Sequence, residues 1–562
     1  MQRVNLPIGT SDFAEIRREG WYYVDKTGLI GDLLNTRKAK VTLITRPRRF
    51  GKTLGMNMLA NFFDIQKDSK ALFEGLEVSK DLALCEQWRN QWPVLFVSFR
   101  RVDGLDFQSA YGMLEETISD LCEEHRYLLD SSQISDLEKS VMERLIWKKA
   151  TDQELKGSLL RLTRMMQAHY GKPIILLIDE YDVPLAKASA NGYYKEMLDV
   201  MKGIMQAMKD NSALQLAVIT GCLRIAKESI FTGTNNFVSD TITSSRLNEY
   251  FGFTQAEVDQ LLQDTGLTDH AEDVKSWYDG YHFGNADVYC PWDVVNFVDR
   301  AKDDRDARPE AYWINTSGND LVKRFIDKAN KTTKSEIERL INGEAIEKAL
   351  RLELTYEEID QSIENLWSVL FTTGYLTQTG KPKDGAYRLI IPNREVREVF
   401  RLQINEWFKK SIFSNTERLT AFWKAFEEGD TEGIEQYLNR ILSNSISVFD
   451  TKARKEEKES SYHNLLVGIL TGNADWLVKS NVEAGEGFAD IIVETDDPDA
   501  GIVVELKYTK NFDELEAACQ KALDQIRERR YQEYLLNDDR KNIRLYGIAF
   551  CKKRCCAISE KL

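Results

Sequence analysis

Proline is scarce in this chain, with 10 in 562 residues, and histidine scarcer, with 5. So few prolines, beside only 32 glycines, exclude long low-complexity linkers. So few histidines argue against a histidine-rich metal centre. The eight cysteines are scattered. Their one cluster, Cys551-Lys-Lys-Arg-Cys555-Cys556, fits no common zinc spacing and reads as reduced thiols at a strand end. Long apolar runs are also missing. Ile174–Ile178 and Leu214–Thr220 are strand-sized, far short of the roughly 18 to 20 residues of a membrane span. The opening Met1-Gln-Arg-Val-Asn-Leu-Pro-Ile-Gly carries one basic residue and no apolar stretch, which argues against secretion. A cytoplasmic protein outside the membrane is expected. Excess positive charge is lacking too. The net charge of −15 excludes indiscriminate coating of nucleic acid by the whole surface, while leaving room for a local basic cleft.

What is present describes a folded α/β chain of several domains. The composition is 43% hydrophobic and 29% charged, and the length corresponds to roughly two to four domains. Apolar runs at 41–45, 94–99, 174–178 and 214–220 alternate with stretches of helical periodicity, the pattern of a parallel sheet with helical crossovers. Residues 246–310 are less regular. Their aromatic stretch Trp277-Tyr-Asp-Gly-Tyr-His-Phe-Gly284 reads as a packed turn linking domains in preference to a ligand pocket. From 311 to 445 the pattern is helical, with an interruption near 374–392 that suggests a small hairpin. The charge run Lys452–Glu459 marks a boundary or the first turns of a helix. Residues 460–562 then read as helix, strand, strand, helix, strand.

The first chemical motif is Arg46-Pro-Arg-Arg-Phe-Gly51-Lys52-Thr53, lying between a strand and a helix. Backbone N–H groups at Gly51 and the following helix N-terminus can receive phosphate oxygens. Lys52 can reach the β and γ phosphates, and the Thr53 hydroxyl can bind Mg²⁺. The phosphate-loop pattern would put glycine at position 46, where this chain has arginine. Arg46, Arg48 and Arg49 fit two readings, as phosphate contacts or as local supports for a loop lacking that glycine. Ile174-Ile-Leu-Leu-Ile-Asp179-Glu180 ends a later apolar strand in two carboxylates. Asp179 suits Mg²⁺ coordination and Glu180 the polarisation of a water. Arg224, after the strand Leu214–Thr220, is a candidate γ-phosphate sensor.

The second motif is Gly485-Glu-Gly-Phe-Ala-Asp490-Ile-Ile-Val, an acidic turn near Asp496–Gly501, and Ile502-Val-Val-Glu505-Leu-Lys507. A hairpin about that turn sets Asp490 opposite Glu505, and alternation puts Glu505 and Lys507 on one face. Glu-x-Lys pairs also occur at soluble strand edges. Here the strand is otherwise apolar, so the charges need a partner or a metal. Two carboxylates and a lysine can hold Mg²⁺ and orient water for attack on a phosphodiester.

Pro7-Ile-Gly-Thr-Ser-Asp-Phe, Tyr23-Val-Asp-Lys-Thr, the Arg46–Thr53 motif, Ile178-Asp-Glu-Tyr-Asp182, Thr220-Gly-Cys-Leu-Arg-Ile and Phe251-Gly-Phe-Thr together resemble the bacterial AAA-ATPase-like family often fused to a PD-(D/E)XK nuclease-like domain. Arginine in place of the first glycine belongs to that family's pattern. Residues 455–555 resemble the PD-(D/E)XK superfamily, with Asp490, Glu505 and Lys507 at its motif positions. The resemblance implies a further acidic metal ligand, Glu459, on the preceding helix, and polar neighbours Gln525 and Tyr531.

The expected architecture is therefore α/β. It comprises a P-loop NTPase-like parallel sheet in 1–310, a mainly helical connector in 311–450 with a winged-helix-like form as one alternative, and a restriction-endonuclease-like domain in 451–562. The expected function is ATP binding and hydrolysis, with Arg49, Gly51, Lys52, Thr53, Asp179 and Arg224 around the nucleotide and Glu180 as catalytic carboxylate. It is coupled to a Mg²⁺-dependent nuclease using Asp490, Glu505 and Lys507. The alternative is a nucleotide-responsive switch or scaffold without turnover. Nucleic acid is the expected partner, and the AAA-type resemblance also admits a homo-oligomer.

Overall fold

The computed structural model describes residues 4–35, 39–224, 237–313, 320–380, 382–413, 416–444 and 455–562. The chain forms two compact units. The first comprises Met1–Leu321 and Glu347–Glu398, the second Val322–Ile346 and Val399–Leu562. Residues 311–450 are thus divided between the units, and the 450/451 boundary read from the sequence lies outside the described residues.

The first unit is built on β1 (Val41–Thr45), β2 (Val94–Ser98), β3 (Ile174–Asp179), β4 (Leu214–Gly221) and β5 (Phe237–Asp240), in the spatial order β2-β3-β4-β1-β5. Every pairing is parallel. β1 and β3 are buried along their whole length, which is why they read as largely apolar runs and not as an alternation. The order places β4 between β1 and β3, so the loops leaving all three meet at one edge of the sheet. Helix α1 (Lys52–Phe63) leaves β1 through Gly51, whose left-handed φ of 79° suits glycine and whose hydrogen side chain gives the helix no side-chain cap. The aromatic stretch after 277 forms a hairpin of β6 (Tyr281–Phe283) and β7 (Ala286–Val288). Its Tyr281 and Phe283 rings pack on Phe50 at 4.9 and 5.1 Å, so it buttresses the loop before α1. β8 (Ile346–Ala349) is followed by β9 (Thr377–Gln378) and β10 (Ala386–Ile390). The last two pair antiparallel, where the sequence suggests a small hairpin.

In the second unit α2 (Lys455–Leu470) precedes β11 (Leu477–Ala484), β12 (Gly487–Glu494) and β13 (Ala500–Tyr508). Helix α3 (Leu515–Glu528), β14 (Asn542–Cys551) and β15 (Arg554–Lys561) follow. The sheet runs in chain order, mixed, with β13 and β14 parallel and the other neighbours antiparallel. β12 and β13 pair from Ile491↔Val504 to Glu494↔Gly501, the register expected from the turn between them. The edge strands β11 and β15 were not expected. β11 is exposed or half-buried over all but its last residue, and the inward positions of β15 are the small Cys555 and Ala557 before a polar end, which weakens the two-residue period. One face of the sheet buries Ile491, Val493, Val504, Leu506 and Tyr546 against α2 and the helices Thr416–Glu428 and Thr431–Asn444. The other buries Ile492, Val503, Leu545 and Ile543 against Leu523 and Ile526 of α3. Packing there is so close that a Cβ on Gly547 would lie 2.2 Å from the Cys519 carbonyl oxygen. Among the described residues no helix is long and apolar enough to cross a membrane.

Candidate active sites

The loop from Arg46 to Gly51 owes its start to a buried arginine. Arg46 is fully buried and donates to the carbonyls of Thr45 at 2.9 Å, Asp240 at 3.0 Å and Leu247 at 3.2 Å. Its guanidinium lies over the rings of Phe251 and Phe283. Burial draws its pKa down to about 10, so it remains charged at neutral pH. Of the two readings of position 46, local support fits: the side chain turns into the protein and ties β1 to the chain after β5. Arg49 adopts φ 71° and lays its guanidinium over the Trp292 ring, 4.2 Å from the centroid.

Lys52 and Thr53 open α1, and β3 brings Asp179 and Glu180 to them. The Thr53 hydroxyl donates to Asp179 Oδ2 at 2.9 Å, and Thr220 on β4 donates to Oδ1 at 2.5 Å. Burial pushes the Asp179 carboxyl up, opposed by the Thr220 hydrogen bond. Lys52, 3% exposed, donates to the Pro47 carbonyl at 3.1 Å and stands 3.7 Å from both Glu180 Oε1 and Cys222 Sγ. Burial disfavours its charge, but Cys222 and the carboxylates of Glu180, Asp179 and Asp182 outweigh this and hold its pKa above the ordinary lysine value. Glu180 sits at φ 53°, a left-handed backbone rare for a side-chain-bearing residue. Arg224 makes an ion pair with Glu353 at 2.7 Å.

Two residues of the quoted motifs were given no role from the sequence. Thr220 holds Asp179, and the buried Asp182 accepts the N–H groups of Cys222 and Leu223 at 3.0 and 2.9 Å. Asp182 could have been found, since it follows Asp179 by three residues in the same acidic motif.

In the second unit, Glu505 is 2% exposed. Its Oε1 accepts from Lys507 Nζ at 2.9 Å and from Gln525 Nε2 at 2.5 Å, and its Oε2 faces the Asp490 N–H at 3.4 Å. Asp490 Oδ2 accepts from the Leu506 N–H at 2.7 Å. Gln525 also reaches the Tyr531 hydroxyl at 3.2 Å, and Glu459 on α2 lies 3.9 Å from Lys507 Nζ. Burial, then the charge of Asp490, raises the Glu505 carboxyl well above its ordinary range against the pull of Lys507. For Lys507 burial acts the other way, but Glu505 overcomes it and keeps the ammonium charged. His463, not singled out in the sequence, sets its Nε2 2.9 Å from the Asp490 carbonyl oxygen and so braces the strand.

Among the described residues no three or more His, Cys, Asp and Glu side chains stand together as a cation cage. Mg²⁺ does not need one, because it commonly takes one or two carboxylates and keeps waters or substrate phosphates as its other ligands. The hard oxygens of Asp490 and Glu505 fit that ion, and so do the Thr53 hydroxyl and Asp179 carboxylate. The uncapped first turn of α1 fits an anionic group.

Residues 7–231 match the family model described as predicted AAA-ATPase, and residues 457–560 match that of the PD-(D/E)XK nuclease superfamily. An uncharacterized protein in the vnfD 5' region of Azotobacter chroococcum mcd 1 is 28% identical over 403 residues, covering 71% of this chain and 69% of that protein. The solved Aeropyrum pernix ORC2 protein is 10% identical with a TM-score of 0.23, over 72% of this chain and 96% of that one, too slight a likeness to bear on the fold. The family assignments imply nucleotide binding and hydrolysis in the first part and a nuclease-type domain in the last. The chain thus carries an N-terminal AAA-ATPase-like domain, residues 7–231, fused to a C-terminal PD-(D/E)XK nuclease-superfamily domain, residues 457–560.

Proposed function

We propose that this protein binds and hydrolyses ATP at the Arg46–Thr53 loop and cleaves nucleic-acid phosphodiesters with a divalent cation at Asp490 and Glu505. The observation that carries the nuclease reading is the buried Glu505 carboxylate, which holds Lys507 and Gln525 on one oxygen while facing Asp490. A structural salt bridge would not need a second carboxylate beside it at such electrostatic cost.

In the nuclease site a divalent cation would supply polarisation of the phosphoryl oxygen and a water of lowered pKa. Asp490 and Glu505 would hold that cation, with Glu459 as a third carboxylate across Lys507. Gln525 fixes the rotamer of Glu505. Lys507, kept protonated, is placed to neutralise the charge that gathers on the phosphoryl oxygens as the nucleophile adds.

In the nucleotide site Lys52 and the N–H groups of Gly51 and the first turn of α1 would receive the β and γ phosphates, and Thr53 with Asp179 would hold Mg²⁺. Glu180 would orient the attacking water. The strand order supports this reading, since it gathers the carboxyl ends of β1, β3 and β4 at one edge, where open α/β sheets bind ligands. Arg49 and Arg224 remain as candidate phosphate contacts, the latter on release from Glu353.

The test is cleavage of labelled single- and double-stranded DNA and RNA with Mg²⁺ or Mn²⁺, with and without ATP, by wild type, Lys507→Ala and Lys52→Ala. Metal-dependent cleavage abolished in Lys507→Ala, and reduced in Lys52→Ala only when ATP is present, is the expected result. Folded wild type that binds nucleotide yet cleaves none of these substrates would replace this reading with the switch or scaffold.

A further inference from the structure

Beside Lys507 the second unit opens into a cavity of about 370 Å³ lined by Lys507, Lys510, Asn511 and Lys521 and by the small Ala517 and Ala518. Its one lining carboxylate, Glu514, is engaged by the Thr509 hydroxyl at 2.5 Å and the Asn511 amide at 2.9 Å. With Lys507 held by Glu505, Lys510 and Lys521 are the lining cations that would meet an incoming phosphate, on a chain whose net charge is −15. The loop that forms it carries Phe512, a ring 46% exposed. Two further cations converge on that ring from the β14–β15 turn, Lys552 at 5.9 Å and Arg554 at 5.4 Å from its centroid. The turn is the Cys551-Lys-Lys-Arg-Cys555 cluster, and Lys552 and Arg554, not its cysteines, are what it offers to solvent, while Lys553 pairs with Glu338. Both Cys551 and Cys555 are buried.

An exposed aromatic ring flanked by two cations, on the loop that also lines a lysine-bearing cavity next to a site for phosphodiester chemistry, combines the two features by which proteins hold unpaired nucleic acid: cations that track the backbone and a ring on which a base stacks. A duplex cannot use the ring without unstacking, because its bases are already covered on both sides. We propose that the loop 509–514, Lys521 and the turn 552–554 form a docking surface for a single strand, with Phe512 stacking a base and Lys510 and Lys521 taking phosphates, so that the strand runs into the Glu505–Lys507 site. This rests on the nuclease reading for its direction of travel, but the binding surface stands on its own residues.

The experiment measures binding by the full chain of a labelled single-stranded oligonucleotide of about 16 nucleotides, and of the same sequence as a duplex, with Ca²⁺ replacing Mg²⁺. Phe512→Leu keeps an apolar side chain but removes the ring, and should weaken single-strand binding roughly five- to a hundredfold with little effect on duplex. Phe512→Tyr should restore it. Lys510→Ala with Lys521→Ala should lower the slope of log affinity against log salt by roughly 0.7 for each phosphate that is no longer neutralised. Equal affinity of Phe512→Leu and wild type, or equal loss for strand and duplex, would overturn the proposal. A parallel Mg²⁺ cleavage assay on wild type and the same variants separates the two ideas. Phe512-dependent binding without cleavage would refute the nuclease reading alone, and cleavage indifferent to Phe512, Lys510 and Lys521 would refute the docking surface alone.

Discussion

Behind the nucleotide loop, Asp293 and Glu395 are both wholly buried. Glu395 Oε1 accepts the Trp313 N–H at 2.6 Å. Neither Asp293 oxygen nor Glu395 Oε2 meets a protein hydrogen-bond donor among the described residues, apart from what the Cys290 thiol and a proton on the pair itself provide. Burial, and then the charge of Asp293, raises Glu395 well above the ordinary carboxylate range, and burial raises Asp293 as well, to about 6, against the hydrogen bonds of Glu395 and Cys290 and the charge of Arg49. One proton is thus shared by the pair in the folded state, whereas both groups ionise near pH 4 in the unfolded chain. The folded protein binds the additional proton, so its stability is full below the unfolded pKa and falls as pH rises toward the raised folded value. The slope for one proton is about 1.4 kcal/mol per pH unit, or nearly 3 kcal/mol between pH 6 and 8. Full burial leaves no solvent screening to discount it. Glu395→Gln keeps the acceptor for Trp313 and supplies a permanent donor to Asp293, so this dependence should vanish. Urea unfolding at pH 6, 7 and 8 should show the variant gaining on wild type as pH rises. Parallel stability curves for the two proteins would refute the shared proton.

Restoring the phosphate-loop glycine with Arg46→Gly should destabilise the protein by about 3 kcal/mol or more, since three buried carbonyls lose a charged donor. Denaturation midpoints check this, and an unchanged midpoint with tighter nucleotide binding would contradict the support role. Glu180→Gln should leave nucleotide affinity within about twofold while slowing hydrolysis roughly 10²- to 10⁴-fold, read by equilibrium binding beside phosphate release. Gly547→Ala would force a Cβ against the Cys519 carbonyl. It should cost about 1–3 kcal/mol and displace α3, lowering cleavage through Gln525 without touching Asp490, Glu505 or Lys507. Chemical denaturation and cleavage should fall together.

How far the sequence speaks depends on the range of each interaction. The β12–β13 register was legible because strands joined by a short turn have one pairing that buries both apolar sets, and that pairing fixes Asp490 against Glu505. The loop between β1 and α1 was legible for the same local reason. Position 46 was not decidable from its neighbours, because the carbonyls it serves come in part from Asp240 and Leu247, about two hundred positions away. Likewise Thr220 looks like an ordinary strand-end threonine until β4 settles between β1 and β3, and Glu395 looks like a surface glutamate opening a helix until it meets Asp293.

The helices Thr416–Glu428 and Thr431–Asn444 show the same effect at larger scale. Their periodicity revealed an apolar face but not its partner, which is the β13–β14–β15 side of the C-terminal sheet. There Tyr546 donates to the Phe426 carbonyl at 2.6 Å, and Glu435 accepts from the Ala557 N–H at 2.8 Å. Edge strand β15 is therefore covered by a helix instead of being left to pair with another chain. Because Ala557 pairs with Ile548 on β14, and β14 sets Gly547 beside Glu505 on β13, these helices brace the sheet that carries the carboxylates. A fragment beginning at residue 451 would lose that brace and expose Phe426's partners on the sheet. The nuclease-type domain should accordingly fold and work only when expressed with residues from about 416 onward, and a stable, cleavage-competent 451–562 fragment would show that the brace is dispensable.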